Sequence, residues 1–455
     1  MINITKKIKI PENPFLLFSP FLLLYIIFVI VVQTKPLFGD EPDYIFYAQN
    51  LIHGFFSPPP PDIYLRSGPG YSLLIAPFIA FHIPYLFIKL LNPVFHYLSI
   101  IFIFKALKQF SSFRLAFVVS LFWACYYNSF DFMPRMYCEI FTSFLMTLLI
   151  LFIMKTFNPD NSAKNKQYIY ITGFIIGVIV LTKIIFGYVL LFMLVGNSLL
   201  WLFNRKVKNY RTSLIILIVA LFTTAPFLIY TYHLTGRIFY WGSTGGNNLY
   251  WMTSPHDGEY GNWFPDPKLK PDSVPWRVSF PGSQIAGNLD LKNRRSDIPG
   301  TEDSVRLYHQ KDFEEINKYT GLAQDDAYTR IAVENIKSHP VKFLQNCFSN
   351  IGRILFNYPY SYTIQKPGTL IRFPLNMIIV VFMLLCLIPT LINWRKIIFP
   401  IRFMLFIAFL YLGGSVLGSA EIRMFTIIAP IMLLWIAFIL NKSVKFSLQF
   451  FENTN

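Results

Sequence analysis

Apolar residues in this chain come in long blocks rather than in the alternating or three-and-four patterns of a soluble core. Blocks of ~17–25 residues match the length a helix needs to cross a hydrocarbon layer of ~30 Å. Ten such spans are predicted: Phe15–Val32, Pro84–Phe104, Leu115–Phe130, Met136–Met154, Ile169–Leu181, Ile184–Phe203, Leu214–Tyr232, Leu370–Ile392, Phe399–Leu417 and Met424–Leu440. The fifth and sixth are nearly continuous, joined at Thr182-Lys183. The pattern predicts an all-α polytopic membrane protein. The first block follows Lys6, Lys7 and Lys9, as in a signal peptide, but Gln33-Thr34-Lys35-Pro36 is not a small-residue cleavage site. It reads as an uncleaved first transmembrane helix.

The polar segments between the blocks divide into two sets. One holds Lys105, Lys108 and Arg114; Lys155, Lys164 and Lys166; Arg205, Lys206, Lys208 and Arg211; Arg395 and Lys396; and Lys442 and Lys445. Alternating spans put these on the side of the N-terminal lysines, which the positive-inside rule makes cytoplasmic. The other set holds the loop from Gln33 to about Ile83, the segment near Asp131–Arg135, the turn at Lys183, a long segment His233–Thr369 and the turn Ser419–Arg423. The long segment is too polar for lipid and reads as a small extracytoplasmic cap, with a helix break at His339-Pro340. Three regions follow: 1–232, a transmembrane catalytic region with outer loop 33–83; 233–369, the cap; and 370–455, the last spans.

Composition supports this picture. Hydrophobic residues make up 54% of the 455 and charged residues only 14%, well below the quarter usual in soluble domains. The net charge of +16 would suggest nucleic acid in a soluble protein, but here the basic residues sit in the short loops of one side, so no nucleic-acid partner is implied. Cys125, Cys138, Cys347 and Cys386 show neither metal-ligand spacing nor a disulfide framework. No internal repeat is visible, which weighs against many transporter folds.

Ionisable residues in or beside spans usually face a cavity or a partner. Here they project to the extracytoplasmic boundary: Asp40, Glu41 and Asp43; Arg66; Arg135 and Glu139; Lys183; Glu421 and Arg423. A carboxylate base and phosphate-holding cations would both be available there. Pro42 fits the first turn of a helix with Asp40 or Glu41 at its cap. Tyr44, Tyr47, Ala48 and Leu51 share one face, and Gly54 suits its end. This predicts a short interfacial helix, in which the acids either cap or catalyse. Downstream, Pro58–Pro61 is a stiff stretch, and Arg66-Ser67-Gly68-Pro69-Gly70-Tyr71 reads either as a turn or as a close approach to a ligand, with Arg66 gripping a phosphate. Glu139 has Arg135 as an i+4 partner, Arg423 has Glu421, and Lys183 has the alternative of snorkelling.

These segments together resemble GT-C glycosyltransferases, particularly protein O-mannosyltransferases and the lipid A aminoarabinose transferases. The resemblance rests on Asp40-Glu41 with its helix, Arg66–Tyr71, Tyr137–Phe141, Gly173–Gly177 running on to Lys183, Gly245–Trp251, Gly258–Trp263, Ile336–Pro340 and Ala420–Arg423, in family order over most of the chain. It implies a GT-C fold and transfer of a hexosyl or pentosyl unit from a polyprenyl-phosphate donor. The acceptor would be a hydroxyl of a lipid, glycan or protein on the extracytoplasmic face, in a bacterial inner membrane. It implies Asp40 as catalytic carboxylate, Glu41 supporting it or touching the acceptor, Glu139 within the site, and Lys183, Arg66 and Arg423 toward the donor phosphate. A single base implies inversion at the anomeric carbon; Glu139 or Glu41 as a nucleophile would give retention. No cofactor and no divalent metal are required on this reading. The sequence departs from the aminoarabinose transferases, which carry a Lys-Pro-Pro-type segment where Arg66–Pro69 stands, and lacks the larger folded insert of the mannosyltransferases, so neither substrate transfers.

Two other readings stay open on the sequence. One is an O-antigen polymerase or ligase type of enzyme using His256, His309 or His339. The other is a lipid-linked glycan transporter without covalent chemistry. The aromatics Trp241, Tyr250, Trp251, Trp263 and Trp276 of the cap suit either sugar faces or packing.

Overall fold

A computed structural model describes residues 13–32, 37, 39–159, 165–264, 301–361 and 367–443. Trp276, Lys6, Lys7, Lys9, Lys164, Lys445 and the Gln33–Pro36 segment lie outside them. The described residues are helical, with no strand among them. The described residues open with α1 (Pro14–Leu17) and α2 (Ser19–Val32), followed by α3 (Glu41–Ile52), α4 (Pro69–Ala80), α5 (Tyr85–Lys89) and α6 (Leu91–Leu107). Next come α7 (Phe113–Ala124), α8 (Tyr127–Phe132), α9 (Cys138–Thr156), α10 (Asn165–Thr182), α11 (Ile185–Phe203) and α12 (Lys208–Thr235). The cap holds α13 (Gly245–Met252), α14 (Thr301–Ile316), α15 (Gly321–Ser338) and α16 (Pro340–Phe356), and α17 (Pro367–Ile392), α18 (Phe399–Leu417) and α19 (Ile422–Ser443) follow.

Among the described residues, seven helical stretches are long and apolar enough to cross a membrane: Tyr85–Leu107, Cys138–Thr156, Ile185–Phe203, Lys208–Thr235, Phe373–Ile392, Phe399–Leu417 and Ile422–Lys442. The other three predicted spans are shorter. Helix α2 has 14 residues and α7 has 12, which rise only about 21 and 18 Å. The apolar run that suggested Leu115–Phe130 breaks at Cys125-Tyr126 into α7 and α8. Helix α10 has 18 residues, of which Lys166–Thr182 is the apolar part. The protein is an integral membrane protein.

Helix α9 is buried along most of its length and packs against α6, α10 and α19. Helix α10 lies closely on α12 because Gly173 and Gly177 carry no side chain. A Cβ on either would stand 2.6 Å from Val219 or 2.5 Å from Thr223. Small residues four apart permit such backbone approach between spans. Lys105, Lys155, Arg205, Lys206, Lys208, Lys396 and Lys442 fall at one set of helix ends. The α9 start, the α10 end, the α19 start and the cap helices fall at the other.

Candidate active site

The sequence left open whether Asp40 merely caps α3. Asp40 is the N-cap residue, Pro42 lies in the first turn, and the helix ends before His53 and Gly54 as predicted. Yet the Asp40 side chain makes no capping bond. Its Oδ2 accepts instead from Arg423 Nη1, and its Oδ1 lies 3.5 Å from Arg66 Nη2. Gly39, at φ +65°, fits under the Tyr137 hydroxyl where a Cβ would collide, so the turn delivering Asp40 is held against the start of α9. Burial alone would raise the Asp40 pKa, but Arg423 and Arg66 outweigh it and hold the carboxyl well below the usual range.

The same helix places two further acids. Asp43 Oδ2 pairs with Arg66 Nη1 at 3.2 Å, and its Oδ1 accepts from the Tyr64 hydroxyl at 3.3 Å. Glu41 turns inward and is fully buried. Its Oε1 accepts the Met136 N–H at 2.8 Å and lies 3.7 Å from the buried Lys89 ammonium. Lys89 was missed in the sequence; a lone lysine near the start of the second apolar block was the available signal. The Tyr44 hydroxyl donates to Cys138 Sγ at 3.0 Å. Tyr44, Tyr47 and Ala48 are buried, as the shared face predicted.

Glu139, at the first turn of α9, is also fully buried. Its Oε1 lies 2.7 Å from the Lys183 Nζ and 3.6 Å from Arg423 Nη1. Glu139 therefore bridges to two distant cations, while Arg135 lies over the Tyr137 ring at 5.6 Å, with Arg423 also against that ring at 5.9 Å. Lys183 does not snorkel: its side chain is only 14% exposed. Burial disfavours its charge, but Glu139 outweighs this and raises its pKa above the ordinary lysine range. Arg423 also reaches Glu421, Nε to Oε2 at 3.5 Å. Asp40, Glu139, Lys183, Arg66 and Arg423 thus join one set of ion pairs at the cap end of the bundle, while Glu41 forms a separate pair with Lys89.

The glycines after Arg66 have a use different from ligand approach. A Cβ at Gly68 would stand 2.1 Å from the Leu181 carbonyl oxygen, and one at Gly70 2.6 Å from Thr182 Oγ1. They let the start of α4 lie on the turn carrying Lys183. Arg66 is steadied by its own N–H, which donates to the Tyr47 hydroxyl at 2.8 Å, while neighbouring Leu65 donates to Ser243 Oγ at 2.9 Å. Its guanidinium lies 5.5 Å from the Trp263 ring centre, whose indole N–H donates to Asn247 at 2.8 Å. Cation–π contact of this kind helps hold the guanidinium over the ring face. The other cap aromatics pack: Tyr250 and Trp251 are buried with Phe264, Phe313 and Tyr328, and Trp241 lies on Gly187 and near Phe227.

The histidines stand away from this set. His309 is buried between Glu259 (3.0 Å) and the Tyr250 hydroxyl (2.5 Å), and His256 stacks on Tyr308. His339 caps the break between α15 and α16. Among the described residues, no group of three or more His, Cys, Asp or Glu side chains is placed to hold a metal ion.

Fold and site define a class: an all-α integral membrane protein carrying a cluster of buried ion pairs where its helices meet its cap. No family model matches the chain, and no curated protein matches it. Solved structures overlay on it at low similarity. The Archaeoglobus fulgidus oligosaccharyltransferase in its apo form gives a TM-score of 0.49 at 12% identity, over 93% of this chain and 50% of that one. The same enzyme tethered to an acceptor peptide gives 0.47 at 12%, over 93% and 49%. ArnT from Cupriavidus metallidurans bound to undecaprenyl phosphate gives 0.41 at 12%, over 94% and 77%. The chain thus spans about half the length of the archaeal enzyme.

Proposed function

We propose that this protein is a membrane glycosyltransferase that moves a sugar from a polyprenyl-phosphate carrier to a hydroxyl acceptor on the face opposite its basic loops. The observation that carries this reading is Asp40 held between Arg66 and Arg423, with the Lys183–Glu139 pair alongside. A carboxylate and three cations at one boundary suit a reaction that must accept a proton and stabilise a departing phosphate. The bundle of apolar helices suits a donor whose prenyl tail lies in the bilayer. The cytoplasmic placing of the basic loops, a bacterial inner membrane, and division into regions 1–232, 233–369 and 370–455 belong to the same proposal.

In this reading the acceptor oxygen attacks the anomeric carbon as the carbon–oxygen bond to phosphate breaks. The acceptor proton passes to Asp40, and the polyprenyl phosphate leaves with the bonding pair. A positioned base contributes typically 10²–10⁴-fold. The leaving phosphate needs no acid, because it is stable as an anion, but its charge must be met. Arg423, Lys183 and Arg66 meet it in a site poor in water. A direct displacement inverts the anomeric centre.

Asp40 bound to two guanidiniums is a weak base. Donor phosphate competes for those guanidiniums, and their withdrawal returns the carboxyl toward its ordinary range. Base strength is thereby coupled to donor binding. Glu41, fully buried on Lys89 and Met136, serves as a positioning residue for the Asp40 turn. Glu139 orients Lys183 and Arg423. The buried setting of His309 gives a histidine-based polymerase or ligase no support, and the gathering of charge at helix ends rather than mid-span gives little to a transporter.

The test is transfer in proteoliposomes supplied with a panel of polyprenyl-phosphate sugars. Asp40→Asn should lower the rate by at least 10²-fold while donor binding persists, and a chelator should leave the wild-type rate unchanged. Equal rates for wild type and Asp40→Asn would sink the assignment of the base.

A further inference from the structure

Helix α16 (Pro340–Phe356) is built the wrong way round for a helix facing water. Its inner face is polar: Asn346, Asn350 and Arg353 are fully buried. Its outer face carries an apolar ridge beside the exposed Gln345: Val341 is 67% exposed, Leu344 57% and Phe348 73%, with Ile351 following on the same stripe. Their spacings of three and four make one continuous ridge.

The inner face explains where the helix sits. The Asn350 amide donates to the carbonyls of Ser415 and Val416 at 3.0 and 3.1 Å, the last turn of α18, where helical carbonyls lack partners. Its Oδ1 accepts the Ala420 N–H at 3.2 Å, and Arg353 Nε donates to the Ala420 carbonyl at 3.3 Å. Helix α16 therefore lies across the α18–α19 turn, at the level where two membrane-crossing helices end. The end of α16 packs beside exposed apolar residues of two of the long apolar helices. Phe356 meets Phe373 of α17 at 5.0 Å between ring centres, and Phe373 and Leu417 are themselves exposed.

We propose that α16 is an interfacial helix whose Val341–Leu344–Phe348–Ile351 ridge is immersed in the headgroup–acyl boundary of the bilayer. A strongly amphipathic helix at a span end lies in that plane with its apolar side down. The inward polar side then sets the height of the turn from which Arg423 projects, so the bilayer surface and the candidate site share one reference level. The occupant of the ridge is lipid, because α16 packs on α17 and α18, helices that themselves expose the apolar Phe373 and Leu417. This inference does not depend on the transferase reading.

The test uses the full chain in phosphatidylcholine–phosphatidylglycerol vesicles. Cys125, the exposed cysteine, is replaced by Ser; Cys138, Cys347 and Cys386 are buried. An environment-sensitive fluorophore is attached through Phe348→Cys, Leu344→Cys or, as the water-facing control, Lys337→Cys. Lipids carrying a nitroxide near the top of the acyl chain should quench the first two several-fold more than the control, and aqueous iodide should quench only the control. Iodide quenching at positions 344 and 348 without lipid quenching would overturn the proposal. Shielding from both quenchers would also overturn it and point to a protein partner. Val341→Cys, one turn away, supplies the same readout should either variant fail to fold.

Discussion

The Lys183 ammonium lies 2.7 Å from Glu139 Oε1, joining the end of α10 to the start of α9 across 44 positions of sequence. Glu139 is completely buried and Lys183 nearly so. Removing one partner of a buried pair strands the other charge and costs about 3–5 kcal/mol. Glu139→Leu and Lys183→Met should each lower the thermal midpoint in detergent, and the double variant should recover part of the loss. Recovery will be incomplete because Arg423 also depends on Glu139. Donor binding should stay weak in both Lys183 variants. A double variant as unstable as the sum of the singles would refute the coupling.

Lys89 and Glu41 form a second buried pair. Glu41→Ala should destabilise by a similar ~3–5 kcal/mol and release the Met136 N–H. It should lower the transfer rate at saturating donor, through displaced Asp40, without changing the pH profile. A changed pH profile would instead place Glu41 in the proton transfer.

Asp325 gives the cap a predictable pH response. Burial raises its pKa from 3.8 to about 6, although the Asn247 and Gly246 N–H groups pull the other way. The folded state thus holds this proton more tightly than the unfolded chain. The associated stability is full below pH about 4 and is lost as pH rises through about 6, amounting to about 2–3 kcal/mol. Asp325→Asn should flatten the decline of cap stability between these limits, followed by hydrogen exchange of α13 and α15, and stabilise the cap at pH 7.5. An unchanged slope would exclude Asp325 as its source.

Gly68 tests how the Lys183 turn is held. A Cβ there would meet the Leu181 carbonyl at 2.1 Å, a rigid backbone atom. Gly68→Ala should push α4 off α10 and lower both stability and donor affinity. Gly54, with nothing within 4 Å of a Cβ but φ +88°, provides the contrast: Gly54→Ala should cost only about 1 kcal/mol of backbone strain and leave donor affinity intact. Equal effects on donor affinity would remove the packing argument.

Local features of the site were legible because they depend on short stretches of sequence. Pro42 and Gly54 bound the helix over Glu41–Ile52, and Pro340 starts α16 after a break at His339. The partner choices were not legible. Neighbouring residues offered Arg135 for Glu139, yet the fold presents Lys183 and Arg423 to it. Glu421 does reach Arg423, but shares it with Asp40. The apolar run through Leu115–Phe130 did not announce its break at Cys125. Helix α4 lay hidden in an apolar segment too short for a span.

Taken alone, the sequence determined the membrane class, the short basic segments that fall at one set of helix ends, and the identity of the charged residues at the other. Those properties follow from hydrophobic length and from charge sign, which add up locally along the chain. Tertiary structure alone decided that Asp40 meets Arg423, 383 positions away, that Glu41 turns inward to Lys89, and that α16 shows lipid-like residues outward. These depend on which helix ends lie side by side, and packing of whole helices, not local pattern, sets that.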